Sequence, residues 1–274
     1  MTYCTSKIVV FDLDETLGYF MELGMFWDAL NAYIKYKKIN QSINQNLFDS
    51  LLDLYPEFLR PNIFAILNYL KKKKEKKHCN KLIIYTNNQG PLEWANYIIK
   101  YFEKKINYKM FDQIIAAYKV QGKRVEICRT THMKSHSDLI KCTKIPEGTQ
   151  ICFIDDVYHP KMTNDNINYI NVNPYIYDLD FNMMIDRFLN SNILDKNHNN
   201  SITRTFMLQF LKRYKYVYVK KTNESQNIDK IISKKILHYL GEFFTKKNSK
   251  IYTNNTKKQQ HNNNKNKTLK KRKP

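Results

Sequence analysis

Three short apolar runs, each ending in polar or acidic residues, constrain this chain more than any other feature: KIVVFDLD at 7–14, KLIIYTNN at 81–88 and QICFIDD at 150–156. Each is rich in β-branched and aromatic residues, and the stretches between them carry helical periodicity. That alternation is the pattern of βαβ units around a parallel sheet. A fourth strand, NYINV at 168–172, follows the third run. In such a sheet the carboxyl ends of neighbouring strands open onto one crevice, which places Asp12, Asp14, Thr86, Asp155 and Asp156 within reach of one another. Acids at the point where an apolar strand leaves a core repel each other, and a bound cation is the natural offset to that repulsion.

Between the runs, residues 21–38 and 47–54 have helical spacing, and 60–74 read as a helix opened by Pro61 with Ile63, Ile66, Leu67 and Leu70 on one face. The lysines closing that helix sit where its dipole favours cations and read as a solvated end. Further helices are expected over 91–102, 179–189, 203–214 and 228–244. The last carries Ile228, Ile231, Ile232, Ile236, Leu240 and Phe243 at helical spacing, a face that packs on the core or in a partner's groove. This divides the chain into an α/β domain over 1–195 with a small helical insert at 18–59, a helical extension over 196–245 and a tail over 246–274.

Charge is concentrated in that tail. The chain carries a formal +21, and residues 246–274 hold 11 basic and no acidic side chains with almost no large apolar ones. Such a segment cannot bury enough surface to fold alone and is expected to be disordered. It reads as an electrostatic arm for nucleic acid, as an import signal ending in KKRK, or as the Asn- and Lys-rich bias of the whole chain. No apolar stretch approaches a membrane span and the first residues lack a secretory core, so no membrane contact is expected. Five scattered cysteines without a C-x-x-C pair argue against a disulfide framework and a structural zinc site. Together these point to a soluble protein of the nucleus or cytoplasm, in a reducing compartment.

Asp12 and Asp14 are two residues apart and project to the same side of an extended segment. Close carboxylates push their pKa values apart, so one is suited to attack as an anion while the other stays protonated and donates to a leaving group. Attack of a carboxylate on phosphorus gives an aspartyl-phosphate. Asp155, from another strand, adds an oxygen ligand, and the set suits Mg²⁺, a hard cation that keeps waters and a phosphate oxygen. Lys134 and Lys141 are the candidates for holding the remaining phosphate charge.

The order D-x-D-x-T after a strand, Thr at the end of a second, Lys, then an acidic pair ending a third resembles the haloacid dehalogenase superfamily of phosphotransferases over about residues 7–172. FDLDETL and RPNIFAIL are similar to its branch of RNA polymerase II C-terminal-domain phosphatases. The resemblance implies a Rossmann-like parallel sheet flanked by helices, a small or absent cap, and Mg²⁺ as cofactor. It implies Asp12 as nucleophile and Asp14 as general acid and base, the latter also offering its backbone carbonyl to the metal. Thr16 would steady the loop, Thr86 would bind the transferring group with Asn87 in support, and Lys134, in KSHSDL, would pair with that group and with Asp12. Asp155 would complete the metal site, with Asp156 supporting.

The implied substrate is a phosphorylated macromolecule, protein before nucleic acid. Departures from the branch are Asp156 where an Asn is usual, and Asn87 and Asn88 where Ala and Ser are usual. TNNQG is similar instead to the T-N-Q segment of polynucleotide 3′-phosphatases, which makes a nucleic-acid end the alternative substrate. A non-catalytic protein that binds nucleic acid or a transcription partner is the alternative of a different class.

Overall fold

The computed structural model describes residues 6–191, 193–194 and 199–246. The tail reading falls on 246–274 and so lies outside the described residues except at Lys246. In chain order the elements are β1 (Lys7–Phe11), α1 (Met21–Lys37), α2 (Gln45–Asp53), α3 (Ile63–Glu75), β2 (Lys81–Tyr85), α4 (Leu92–Ile106), β3 (Gln113–Ile115), β4 (Lys119–Val120), β5 (Lys123–Arg124), α5 (His136–Thr143), β6 (Gln150–Asp155), β7 (Ile167–Asn171), α6 (Phe181–Leu189), α7 (Asn200–Leu211) and α8 (Asn223–Thr245). One sheet runs in the order β3-β2-β1-β6-β7 with every pairing parallel, and β4-β5 form a separate antiparallel ribbon. The architecture is α/β and compatible with a Rossmann-like fold.

The strands are apolar almost throughout because both faces of the sheet are covered. Val9 and Phe11 of β1, Leu82 and Ile84 of β2, and Cys152 and Ile154 of β6 point into the larger core, built with α1–α4 and α6–α8. Their alternates Ile8, Val10, Ile83, Tyr85, Ile151 and Phe153 meet a smaller core closed by Leu139 of α5, Ile145 and Met162. The insert and the extension pack on each other: Tyr33 of α1 makes a buried 2.7 Å hydrogen bond with Thr203 of α7, and its ring lies 5.3 Å from that of Phe206.

Several sequence expectations shift. The helix expected from Pro61 begins at Ile63, after Asn62 in the left-handed region at φ 59°. β3, the β4-β5 ribbon and α5 are not marked in the sequence, since two or three residues carry no legible period and α5 spans eight. On α8, Ile236, Leu240 and Phe243 are buried as expected while Ile228 and Ile231 are exposed. The cysteine expectation is corrected: Cys128 and Cys142 form a disulfide with Cα atoms 5.1 Å apart. They are 14 residues apart in sequence, and they meet because the chain folds back over α5 before entering it. Cys79 and Cys152 are buried free thiols. Among the described residues no helix is long and apolar enough to cross a membrane.

Glu22 of α1 is fully buried and accepts from the Leu179 amide at 2.8 Å. Burial raises its carboxyl from 4.5 to about 7, against the opposing effect of that amide and of Tyr216. A raised acid binds its proton more tightly in the fold than in the unfolded chain, so its contribution is full below pH 4.5 and falls as pH rises toward 7. Relative to Glu22→Gln, the wild type is expected to lose about 2 kcal/mol across that window. Urea unfolding of both proteins at several pH values measures this, and a pH-independent difference contradicts it.

Candidate active site

The site is built at the carboxyl ends of β1, β2 and β6. The amide of Asp12 still donates to Ile154 at 2.9 Å, so this residue is held by the sheet itself. Beyond it the chain turns tightly: Leu17 donates to Leu13 at 2.9 Å, both leucines are fully buried, and Glu15 sits in the left-handed region at φ 57°. Gly18 closes this turn because a Cβ there would lie 2.5 Å from the Phe58 carbonyl oxygen. Arg60, buried before α3, clamps the turn from below, donating to the Thr16 and Glu15 carbonyls at 2.6 Å each and to that of Asn173 at 3.0 Å.

From β2 come Thr86, Asn87 and Asn88. Thr86 is buried and its Oγ1 accepts from the Asn88 amide at 2.9 Å, which leaves the hydroxyl hydrogen to donate elsewhere. Asn88 Nδ2 donates to Asp14 Oδ2 at 2.8 Å. Asp155 ends β6, and Asp156 Oδ1 accepts from Thr16 Oγ1 at 3.0 Å. Lys134 reaches the centre from the loop before α5, whose first turn is capped by Ser135. Its ammonium lies 2.5 Å from Asp12 Oδ1 and 2.7 Å from Asp155 Oδ2 and is buried. Lys141, the other candidate, is exposed in the last turn of α5 and lies outside the cleft lining.

The electrostatics follow from burial and from this shared lysine. Burial raises Asp12 to about 7, with the Lys134 charge opposing and the Asp155 charge adding. Burial would raise Asp155 too, but the neighbouring His159 ring and the charge and hydrogen bond of Lys134 outweigh it and hold this carboxyl below the usual range. Lys134 is penalised by burial, yet the charges of Asp12 and Asp155 win and keep its pKa above the ordinary lysine value. Burial raises Asp14, with the Asn88 hydrogen bond opposing, and raises Asp156, helped by the Asp155 charge.

Carboxylate oxygens of Asp12, Asp155 and Asp156 lie within 4.8 Å of one another, an all-oxygen set suited to a hard divalent cation. The Asp14 carboxylate, which accepts from Asn88, is not part of this trio. Neither Asp14 nor Asp156 has an ion pair among the described residues, so the cluster holds more negative charge than Lys134 neutralises. The residues present therefore fit a cation.

Sequence reasoning missed four contributors: Arg60, Asn88, His159, whose Nε2 lies 3.6 Å from Asp155, and Arg129. Fully buried, Arg129 donates to the carbonyls of Thr86, Ala116 and His132 and to Asn87 Oδ1 at 2.8–3.0 Å, tying the end of β2 to the loop that carries Lys134. Nothing in its local sequence marks it. Arg129→Met leaves the buried Thr86 carbonyl and the part-buried Ala116 and His132 carbonyls short of a donor and is expected to cost about 2 kcal/mol in urea unfolding. An unchanged midpoint would contradict that role.

Comparison of the chain with models of known families, with characterised proteins and with solved structures finds no match.

Proposed function

We propose that this chain is a Mg²⁺-dependent phosphomonoester hydrolase of the haloacid dehalogenase type, acting through an aspartyl-phosphate on Asp12. The observation that carries the reading is the meeting of three strand ends at one buried lysine, with Lys134 shared between Asp12 and Asp155 at 2.5 and 2.7 Å and with Asp14 and Thr86 lining the same cleft. Burying this much like charge at the carboxyl ends of the central strands is costly unless it serves a function.

In the first step an Asp12 oxygen bonds to phosphorus while the bond from phosphorus to the leaving oxygen breaks, and protonated Asp14 gives its proton to that oxygen. In the second, ionised Asp14 takes a proton from water as the water oxygen attacks phosphorus, the Asp12–phosphorus bond breaks, and inorganic phosphate leaves. The Thr86 hydroxyl donates to a phosphoryl oxygen, and Lys134 neutralises developing charge while orienting Asp12. Asp12, Asp155 and the Asp14 backbone carbonyl, supported by Asp156, would hold Mg²⁺, which when bound supplies charge neutralisation at the phosphoryl group.

The test is phosphate release from small esters by the purified chain with and without Mg²⁺, together with rapid quenching on a labelled ester. Release that a chelator abolishes, with hydroxylamine-labile label on the protein, supports the reading. Turnover indifferent to divalent cations, or no turnover of any phosphomonoester, overturns it.

A further inference from the structure

The segment joining α7 to α8 has the composition of a strand but belongs to no sheet. Residues 215–222 read KYVYVKKT, alternating tyrosine and valine between lysines. Side chains hold this strap extended. The Tyr216 ring lies 5.6 Å from that of Phe181, the Val219 amide donates to Asp178 Oδ2 at 3.0 Å, and Lys221 Nζ donates to the Ile176 carbonyl. Each step forward on the strap answers one step back along 176–181, so the two segments run antiparallel in a single register without a backbone ladder between them.

Among the described residues, the Val219 amide is the sole backbone group of 216–221 with a hydrogen bond. Val217 and Val219 are 76% and 65% exposed, and Tyr218 is exposed beside them. An extended, β-prone segment with unpaired amides and carbonyls and outward apolar side chains is the template to which another extended chain adds.

Position and charge narrow what that chain is. The strap leaves α7 beside the cleft, where Tyr214 donates to Asp28 at 3.1 Å and the Tyr216 hydroxyl lies 3.4 Å from that of Tyr19. Tyr19, Asp28 and Tyr214 all line the cleft. Residues 212–222 carry five basic side chains and no acid. Lys221 pairs with Asp229, whereas Lys212, Arg213, Lys215 and Lys220 are exposed and have no ion pair among the described residues. Pairing with a second copy would set like charges opposite one another, and an acidic strand would meet complementary ones.

Resting on the phosphatase reading, we propose that the substrate is a phosphoprotein whose phosphorylated residue lies in an extended acidic segment, with the phosphate at Asp12 and the flanking residues added as a strand to 216–221. A nucleic acid could match the lysines but has no row of amides to pair with the strap.

The probe is a peptide of alternating glutamate and valine around one serine, with and without a phosphate on that serine. At saturation the unphosphorylated form is expected to slow hydrogen exchange of the 216–221 amides in the full chain by about ten-fold or more, read by mass spectrometry. The kcat/KM for the phosphorylated form is expected to exceed that for free phosphoserine by about ten-fold, the worth of one or two backbone hydrogen bonds. Val217→Pro removes an amide that has no partner in the fold, and Lys215→Glu with Lys220→Glu reverses the charge. Both variants should remove the peptide's advantage while turnover of phosphoserine stays as in the wild type, which also controls for folding.

Protection of the strap with no turnover of any ester overturns the reaction and keeps the docking strand. Turnover with no protection and equal kcat/KM for peptide and phosphoserine overturns the docking strand and keeps the reaction. Protection by an oligonucleotide as strong as that by the peptide overturns strand addition and leaves a charged patch. Protection that grows with protein concentration in the absence of peptide overturns the assignment in favour of a second copy.

Discussion

Asp12→Asn is expected to remove the proposed phosphatase activity, by on the order of 10⁴-fold or more in kcat, because an amide oxygen cannot serve as the attacking anion and no other carboxylate is held by the sheet at that point. The fold should survive. Lys134 keeps its 2.7 Å contact with Asp155, and the substitution removes one carboxylate from a cluster with more acids than cations. Urea unfolding is therefore expected to stay within about 1 kcal/mol of wild type, since the lost ion pair and the relieved crowding oppose each other. The variant should also form no hydroxylamine-labile phosphoprotein. Substantial magnesium-dependent turnover by purified Asp12→Asn would move the nucleophile elsewhere.

Lys134→Ala should be damaging twice over. It removes the charge that in the proposed reaction neutralises the phosphoryl group, an effect of about 10²–10³-fold in kcat for a preorganised electrostatic contact. It also strands Asp12 and Asp155, which share this buried ammonium, and breaking a buried pair costs about 3–5 kcal/mol. The stability loss has its own control: adding Asp12→Asn removes one of the stranded carboxylates, so the double variant is expected to be more stable than Lys134→Ala alone. Lys141→Ala, at an exposed helix end, is expected within about 0.5 kcal/mol of wild type with unchanged kcat. The reverse ranking of the two lysines would reassign the role.

The parallel sheet was legible because strands buried on both faces must be apolar along their length, and runs such as IVVF and CFI have few other uses. The acids were legible for the converse reason: charge directly after such a run is costly unless it serves a purpose. Arg129 and Arg60 were not, because their partners are backbone carbonyls of distant segments, and a carbonyl has no sequence signature. Asn88 lay beside an anticipated residue, yet its contact to Asp14 spans two strands.

By itself, then, the sequence determined which segments become core strands and which acids stand at their ends, since both follow from local alternation and from the cost of burying charge. Only the tertiary structure decided which lysine enters the site, that Cys128 meets Cys142, and that α1 and α4 enclose an aromatic cleft beside the acids. Those are relations between residues far apart in the chain or on separate elements. They depend on how helices pack across the sheet, a choice among shapes that periodicity within any one segment does not encode.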